Sequence, residues 1–188
     1  MILLIILGAF FVIILLWAIG TYNGLISKRN QVEYSYSGID VQLKQRRDLI
    51  PNLVAAVQEY MKHERGILER VTELRSKIMQ GGHGDKERFA MENEMGSLLG
   101  RINVAIENYP DLKANENVMQ LQRSLNEVEA QIAASRRAFN ASVMILNNAI
   151  EMFPSNIIAG AMNLERRESF DIPAAERENV DVGALFNR

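Results

Sequence analysis

The N-terminal segment MILLIILGAFFVIILLWAIG (residues 1–20) contains no charged side chain, and this feature constrains the fold more than any other. As an α-helix, Ile2 to Gly20 would be about 28 Å long, which matches the hydrocarbon thickness of a bilayer. A cleaved signal peptide is the alternative, because Ala18 and Gly20 form a pair of small residues typical of a cleavage site. However, no basic residue precedes the apolar stretch, and the stretch is too long for a signal peptide. The sequence therefore predicts a transmembrane signal anchor over residues 1–21.

Basic residues follow this span, whereas none precedes it. Lys28 and Arg29 lie closest to the span, and positive charges near a span favour the cytoplasmic side of the membrane. We therefore predict a single-pass topology with the N-terminus outside and the C-terminal domain in the cytoplasm. Trp17 and Tyr22 would lie at a membrane–water interface, where aromatic side chains are enriched.

The composition excludes several kinds of functional site. The chain has no cysteine, so disulfides, thiolate metal sites and cysteine nucleophiles are ruled out. The formal net charge is −2, and no basic patch with interleaved aromatic residues is present, which argues against nucleic acid as a partner. His63 has Ile67 four residues later, where a zincin motif needs a second histidine. We predict no catalytic residue, no metal and no cofactor, and hence a protein that is not an enzyme.

Apolar residues recur in steps of three and four after the anchor, which is typical of amphipathic helices packed in a bundle. The first of these helices is predicted to run unbroken to Met79, where the glycine-rich turn QGGHGD ends it. A second helix is predicted over about residues 85–108, up to the proline of YPDLKANEN. A third extends to Phe153, and FPSN then leaves room for a short fourth helix.

These elements predict an all-α fold, in which an N-terminal transmembrane helix precedes an antiparallel bundle of three long helices. The bundle is predicted to occupy residues 22–162, with Ser155 or Asn156 as the cap of the short fourth helix. The periodicity fails after this point, so residues 163–188 are predicted to form a polar, flexible C-terminal tail. Four apolar residues of the tail could dock as a short strand: Val180, Val182, Leu185 and Phe186.

Pro51 lies inside the first predicted bundle helix, in the stretch RRDLIPNLVAAV. A proline there removes a backbone donor and clashes with the carbonyl of Arg47, at a cost of about 3 kcal/mol. The apolar residues keep one register across the site, which favours a continuous helix with a structural kink at Arg47, Pro51 and Asn52. Neighbouring side chains, those of Arg46 and Asp48 among them, could satisfy the freed backbone groups. The alternative places Pro51 in the first turn of a separate helix, where it costs little.

Polar residues on the third predicted helix form another candidate site. Arg136, Arg137 and Asn140 lie on or beside the apolar seam, where they could form a buried polar network or bind a polar ligand. Buried polar residues in bundles often fix the register of the helices, which makes the structural role the favoured one. A buried arginine would need a partner, and Arg47 and Glu64 are the residues predicted to pair with this group.

Two features predict self-association. Gly20 and Gly24 form a GxxxG spacing at the membrane exit, which permits close contact with a second membrane helix. Antiparallel packing of helices of unequal length would also leave apolar seams bare, which is unfavourable in a monomer. The residues of these seams are Tyr36, Ile39, Leu43, Leu146 and Phe153. A break of the third helix near Asn140, which would close a four-helix bundle, is the alternative.

Four motifs, LIPNLV, YPDLKAN, SRRAFN and FPSN, occur in this order along the chain. In this combination the sequence resembles the LemA family of bacterial membrane-anchored helical proteins, over about residues 1–161. The stretch that follows Asn156 departs from the aromatic-rich segment expected of the family. The resemblance implies a single span in the bacterial cytoplasmic (inner) membrane, a short external N-terminus and a helical bundle. It implies no defined activity, but it relates the chain to magnetosome-membrane assembly proteins and to partners of membrane metalloproteases.

The predicted function is that of a non-enzymatic, membrane-anchored structural or scaffold protein that self-assembles. Its predicted partners are the lipid bilayer, further copies of the chain and another membrane protein. The alternative is an adaptor or regulator of a membrane protease or envelope-stress complex, which would need a surface for a second protein.

Overall fold

The computed structural model describes residues 1–170, and the regular structure of this part is entirely helical. The helices are α1 (Ile2–Val57), α2 (Arg65–Gln80), α3 (Asp85–Ile106), α4 (Pro110–Lys113), α5 (Glu116–Glu151) and α6 (Ser155–Ala161). The predicted all-α fold that begins with one long apolar helix is therefore confirmed. Most of the predicted tail lies outside the described residues, and so does the strand proposed for Val180, Val182, Leu185 and Phe186.

The N-terminal part of α1 is long and apolar enough to cross a membrane. None of the residues in its most apolar stretch is buried against the rest of the protein. Large apolar side chains are instead exposed on all sides of the helix, from Ile2 to Ile19. A helix that is apolar all round and unburied is typical of a membrane span.

The chain forms two compact units, and both α1 and α5 contribute to each of them. The first unit contains residues 1–45 and 128–169. Within it, the rings of Tyr36 and Phe139 lie 5.7 Å apart. Nearer the N-terminus of α1, Gly24 lines the same groove as a residue further along α5, Ala149. Residue numbers rise along α1 from Gly24 to Tyr36 while their neighbours on α5 fall from Ala149 to Phe139. The two helices of this unit therefore run antiparallel.

The core of the first unit corrects the prediction of bare apolar seams. Its buried apolar residues are Leu25, Val32, Ile39 and Leu43 from α1, Val128, Ile132, Phe139, Val143 and Leu146 from α5, and Ala159 from α6. Ile39, Leu43 and Leu146 are thus covered within one chain, because α5 is a single 36-residue helix that returns along the membrane-proximal part of α1. The predicted alternative, a break near Asn140, is also wrong. Tyr36 is half-buried, and Phe153 is 79 % exposed.

The second unit contains residues 46–127 together with Phe170. One face of each of its helices contributes to a single apolar core. The buried residues are Ile50, Leu53 and Val57 of α1, Leu68, Val71, Leu74 and Ile78 of α2, Met95, Leu98, Leu99, Ile102 and Ile106 of α3, and Leu112, Val118 and Leu125. The steps of three and four between these positions are the ones from which the bundle is predicted.

The predicted first helix is interrupted, which the periodicity did not reveal. α1 ends at Val57 and α2 begins at Arg65, so the prediction of one helix to Met79 is wrong. Met61 lies within the connection, yet it is fully buried and its N–H donates to the carbonyl of Val57. The break therefore keeps the spacing of apolar residues, and no proline or glycine marks it.

The connection between α1 and α2 is tied to the end of α3. The Tyr109 hydroxyl donates a 2.6 Å hydrogen bond to the Glu64 carboxylate, and this bond raises the pKa of Tyr109. Glu64, predicted to pair with the polar residues of the third helix, thus has a different partner. Tyr109 precedes Pro110, which occupies the first turn of α4, where its missing N–H is tolerated.

The remaining turns agree with their sequence signals. Gly81 and Gly82 follow α2 with positive φ angles, a conformation that favours glycine. The predicted short helix is present as α6, but neither Ser155 nor Asn156 caps it, because the helix begins at Ser155 and Pro154 holds the cap position. The Ser155 hydroxyl instead donates to carbonyls at the end of α5, those of Ala149 and Met152.

Residues 163–170 continue beyond α6 without helical structure. In the first unit, the Asn147 side chain donates to the Arg167 carbonyl and accepts from the Arg167 N–H, at 2.9 and 3.0 Å. The Arg167 guanidinium also pairs with Glu33 of α1. In the second unit, Phe170 is buried, and its ring centroid lies 3.5 Å from that of Phe89.

Candidate functional site

Pro51 lies in the interior of α1, and the helix continues through it. The alternative that placed Pro51 at the start of a separate helix is therefore wrong. The carbonyl of Arg47 accepts a 2.9 Å hydrogen bond from Nε of Arg75, a half-buried residue of α2. A side chain from a neighbouring helix thus supplies the donor that proline lacks, whereas the sequence pointed to residues next to the proline. Asn52 is exposed, and the kink itself remains a prediction.

A buried ion cluster lies one turn before Pro51. Arg46 is 1 % exposed and Glu92, on α3, is fully buried. An Arg46 Nη2 atom donates to the carboxylate and, at 2.9 Å, to the backbone carbonyl of Glu92. Arg47, which is 18 % exposed, adds a 3.3 Å contact between its Nη1 and the other carboxylate oxygen. The buried charge is therefore paired on both oxygens, which is what burial of a carboxylate requires.

The ion cluster joins three helices at the proline. Arg46 and Arg47 belong to α1, Glu92 belongs to α3, and Arg75 brings α2 to the same turn. The sequence predicted that Arg47 needs a partner, but it named residues of the third predicted helix rather than Glu92, and Arg46 was not identified as buried. A bonded charge in an apolar core fixes which residues of neighbouring helices meet. We interpret this cluster as the element that sets helix register in the second unit.

The hydrogen bond from Arg75 to the Arg47 carbonyl allows a double-mutant cycle. We expect Arg75→Met to lower the free energy of unfolding by about 1–3 kcal/mol, because the partly buried Arg47 carbonyl loses its donor. In a Pro51→Ala background the new backbone N–H can donate to the same carbonyl, so Arg75→Met should cost clearly less. Urea unfolding of the four variants, followed by circular dichroism, measures both effects. Strictly additive effects would contradict the assignment.

The candidate polar network of the third predicted helix lies on α5. Arg136 and Asn140 are half-buried and Arg137 is exposed. Ser142, one turn beyond Arg137, is buried, but its hydroxyl donates to the Phe139 carbonyl of its own helix. The role of Arg136, Arg137 and Asn140 as a network or ligand site stays a prediction.

Gly20 and Gly24 line a groove of about 650 Å³ in the first unit, between α1 and the end of α5 with α6. Its walls are Trp17, Gly20, Thr21, Gly24, Leu25, Lys28, Ile145, Asn148, Ala149, Met152, Phe153 and Ser155. A Cβ at Gly20 would have no neighbour within 4 Å, and one at Gly24 would meet only Nζ of Lys28, at 3.9 Å. The two glycines therefore leave open space, and their predicted contact with a second membrane helix stays a prediction.

The histidines lie at the surface of the structure. His63 is exposed. His83 lies in the turn before α3, and its Nδ1 is 3.2 Å from a carboxylate oxygen of Glu87 in the first turn of that helix. Among the side chains that the structure describes, no three acidic or histidine residues come close enough together to hold a metal ion.

The fold and its contacts define a membrane-associated helical protein: a long helix with an exposed apolar N-terminal part extends into helical structure, whose second unit contains a buried ion cluster. The sequence model of the LemA family matches residues 35–183, and the chain belongs to that family.

Three relatives are similar over most of the chain. Protein LemA of Metamycoplasma hominis is 27 % identical over 169 residues, which cover 90 % of this chain and 77 % of the relative. Magnetosome protein MamQ of Magnetospirillum gryphiswaldense is 24 % identical over 174 residues, covering 79 % of this chain and 64 % of the relative. Magnetosome protein MamQ 2 of Paramagnetospirillum magneticum is 23 % identical over 190 residues, which cover 88 % of this chain and 70 % of the relative. None of these names states an enzymatic activity.

Proposed function

We propose that this protein is a non-enzymatic, membrane-anchored scaffold that self-assembles at the bacterial cytoplasmic membrane. In this proposal the N-terminus lies outside, α1 crosses the bilayer once, and the bundle lies in the cytoplasm. The observation that carries the proposal is the continuity of α1, which passes from an exposed apolar stretch into the bundle without a linker. A helix that is shared by anchor and bundle supports a role in holding a structure at the membrane surface.

The ion cluster supports a structural role for the bundle. Its charged groups are engaged with one another and with backbone carbonyls, at Glu92 and at Arg47. A catalytic acid or base must instead reach a substrate, and burial of Glu92 prevents that. The cluster thus supports a role for these charges in helix packing rather than in catalysis.

Self-assembly is supported by apolar residues that one chain leaves uncovered. Tyr34 is 76 % exposed and Val41 is 63 % exposed. They lie seven residues apart on α1, so they share one helical face, outside the apolar span. Gly38 lies between them on that face and would let another helix approach closely. This face replaces the predicted seam residues Ile39, Leu43 and Leu146 as the proposed contact.

Measurement of the particle mass tests self-assembly. We expect the full chain in mild detergent to form a homogeneous particle whose protein mass is a multiple of 21.3 kDa. Combined Tyr34→Asp and Val41→Asp substitutions should convert it to monomer, since buried unpaired carboxylates are costly in an interface. Ala134→Asp, at an exposed position of α5, is the matched control and should leave the mass unchanged. A wild-type monomer at high concentration would contradict self-assembly, and a different bound chain would favour the adaptor function.

A further inference from the structure

The groove beside Gly20 and Gly24 extends along the end of the apolar span. Trp17 lines one end and Lys28 the other, about 16 Å apart along the helix axis at the α-helical rise. The predicted span ends at residue 21, so Trp17, four residues earlier, lies about 6 Å inside it, at the depth of the upper acyl chains. Nζ of Lys28 lies 3.9 Å from the position that a Cβ would take on Gly24, which places the charge just beyond the span, at the level of the headgroups. The groove thus passes from the apolar to the charged layer of a bilayer.

The walls of the groove match these two layers. Its apolar side chains come from both helices, whereas Lys28 is the charged residue among those that line it, and no lining residue is acidic. The opposite wall carries apolar side chains that are exposed at the α5–α6 turn. These are Met152 and Phe153, with Ile157 close by on α6. Such side chains are unfavourable in water but favourable at the boundary of acyl chains and headgroups.

The geometry points to a binding site for one anionic phospholipid of the surrounding bilayer. Its acyl chain lies along the space left open by Gly20 and Gly24, and its phosphate accepts a hydrogen bond from Nζ of Lys28. The α5–α6 turn, with Met152 and Phe153, dips into the same leaflet. This inference rests on the proposed function in one respect, that α1 is the membrane anchor.

Charge favours a lipid over a second copy of the chain as the occupant. A second α1 placed in the groove would bring its own Lys28 and Arg29 to the same depth, where like charges repel. A phospholipid phosphate brings the opposite charge to Lys28. Basic pockets beside membrane helices bind anionic headgroups through this attraction.

Trp17 is the single tryptophan of the chain and lines the groove, so its fluorescence reports directly on the occupant. We would reconstitute the full protein in vesicles that contain a small fraction of brominated lipid, either phosphatidylglycerol or phosphatidylcholine. Bromine atoms on the acyl chain quench a tryptophan that they touch. We expect brominated phosphatidylglycerol to occupy the site about fivefold more strongly than brominated phosphatidylcholine, the effect of one cation near an anionic lipid.

Two pairs of variants separate the groove from general surface attraction. Lys28→Gln should remove the preference for phosphatidylglycerol, whereas Arg29→Gln, which removes a neighbouring cation outside the groove, should keep it. Gly24→Leu should fill the groove and reduce quenching by phosphatidylglycerol, whereas Gly8→Leu, outside the groove, should not. Neither glycine has a neighbour closer than 3.9 Å to its added Cβ, so both variants should fold.

Each contrary result has a distinct meaning. Equal quenching of the wild type by the two lipids, or equal loss of preference in Lys28→Gln and Arg29→Gln, would overturn the lipid site while leaving the anchor intact. Gly24→Leu that dissociates an oligomer without changing quenching would overturn it in favour of a second copy of the chain. Absence of quenching by either lipid would instead show that α1 is not inserted, which contradicts the proposed function itself.

Discussion

Glu92→Leu is expected to lower the free energy of unfolding by about 3–5 kcal/mol, the largest effect of any single substitution outside the apolar core. Arg46 is buried beside Glu92 and would keep its charge after the carboxylate is removed. A buried guanidinium without its counter-charge carries a desolvation cost that nothing offsets. Arg47 keeps partial access to solvent and should contribute less to this cost. Urea unfolding of the full chain in detergent, followed by circular dichroism, measures the change.

Glu94→Gln is the matched control, because Glu94 lies on the same helix two residues later. It forms a 2.7 Å ion pair with Arg70, and the two side chains are 41 % (Glu94) and 40 % (Arg70) exposed to solvent. Loss of this pair should therefore cost less than about 1 kcal/mol. The combined Arg46→Met and Glu92→Leu substitutions should recover most of the lost stability, since apolar residues of similar volume can replace a buried ion pair. Equal costs for Glu92→Leu and Glu94→Gln would contradict the role assigned to the buried cluster.

The buried pair was partly readable from the sequence. Glu92 precedes Met95, Leu99 and Ile102 by three, seven and ten residues, so it occupies the apolar face of α3. A charge at such a position predicts a buried partner. The partner was harder to find, because Arg47 was the arginine of α1 predicted to form an ion pair, whereas Arg46 is the fully buried residue. Adjacent arginines differ by 100° around a helix, and the spacing of apolar residues does not resolve that difference.

Helix ends were predictable where backbone chemistry marks them. Glycines with positive φ follow α2, and Pro110 and Pro154 follow α3 and α5, as their sequence signals predict. The short helix α4, which Pro110 begins, was not predicted. The end of α1 at Val57 has no such signal, because Met61 continues the apolar spacing across the connection. Long-range contacts were even harder to predict from the sequence. The donor to the Arg47 carbonyl comes from Arg75, 28 residues away, and only the packing of α2 on α1 brings it there.

The error in the bare seams has a physical cause. With the first helix predicted unbroken to Met79 and consecutive helices antiparallel, the third predicted helix would run parallel to the first, which left Ile39 and Leu146 without partners. In the structure α5 is long enough to return beside the membrane-proximal part of α1, and it buries both residues within one chain. The proposed self-assembly therefore relies on the exposed face of Tyr34 and Val41 rather than on uncovered core residues.

The orientation of the chain should follow the charges that flank its span. Lys28 and Arg29 follow the span, while no charged side chain precedes it. We expect the combined substitutions Ile2→Lys, Leu3→Lys, Lys28→Gln and Arg29→Gln to invert the topology, because basic residues near a span favour the cytoplasmic side. Arg65→Gln with Lys77→Gln removes two distant positive charges and should leave the orientation unchanged. An unchanged orientation in the first variant would contradict control by these charges.

Cysteine labelling in spheroplasts of a bacterial host tests the central claim most directly, that a single N-terminal span holds a cytoplasmic bundle. The chain has no native cysteine, so Ile2→Cys and Lys62→Cys each introduce a single reporter, the latter at an exposed position between α1 and α2. A membrane-impermeant maleimide should label Ile2→Cys in intact spheroplasts, and it should label Lys62→Cys only after lysis. Labelling of Lys62→Cys in intact spheroplasts would contradict the claim.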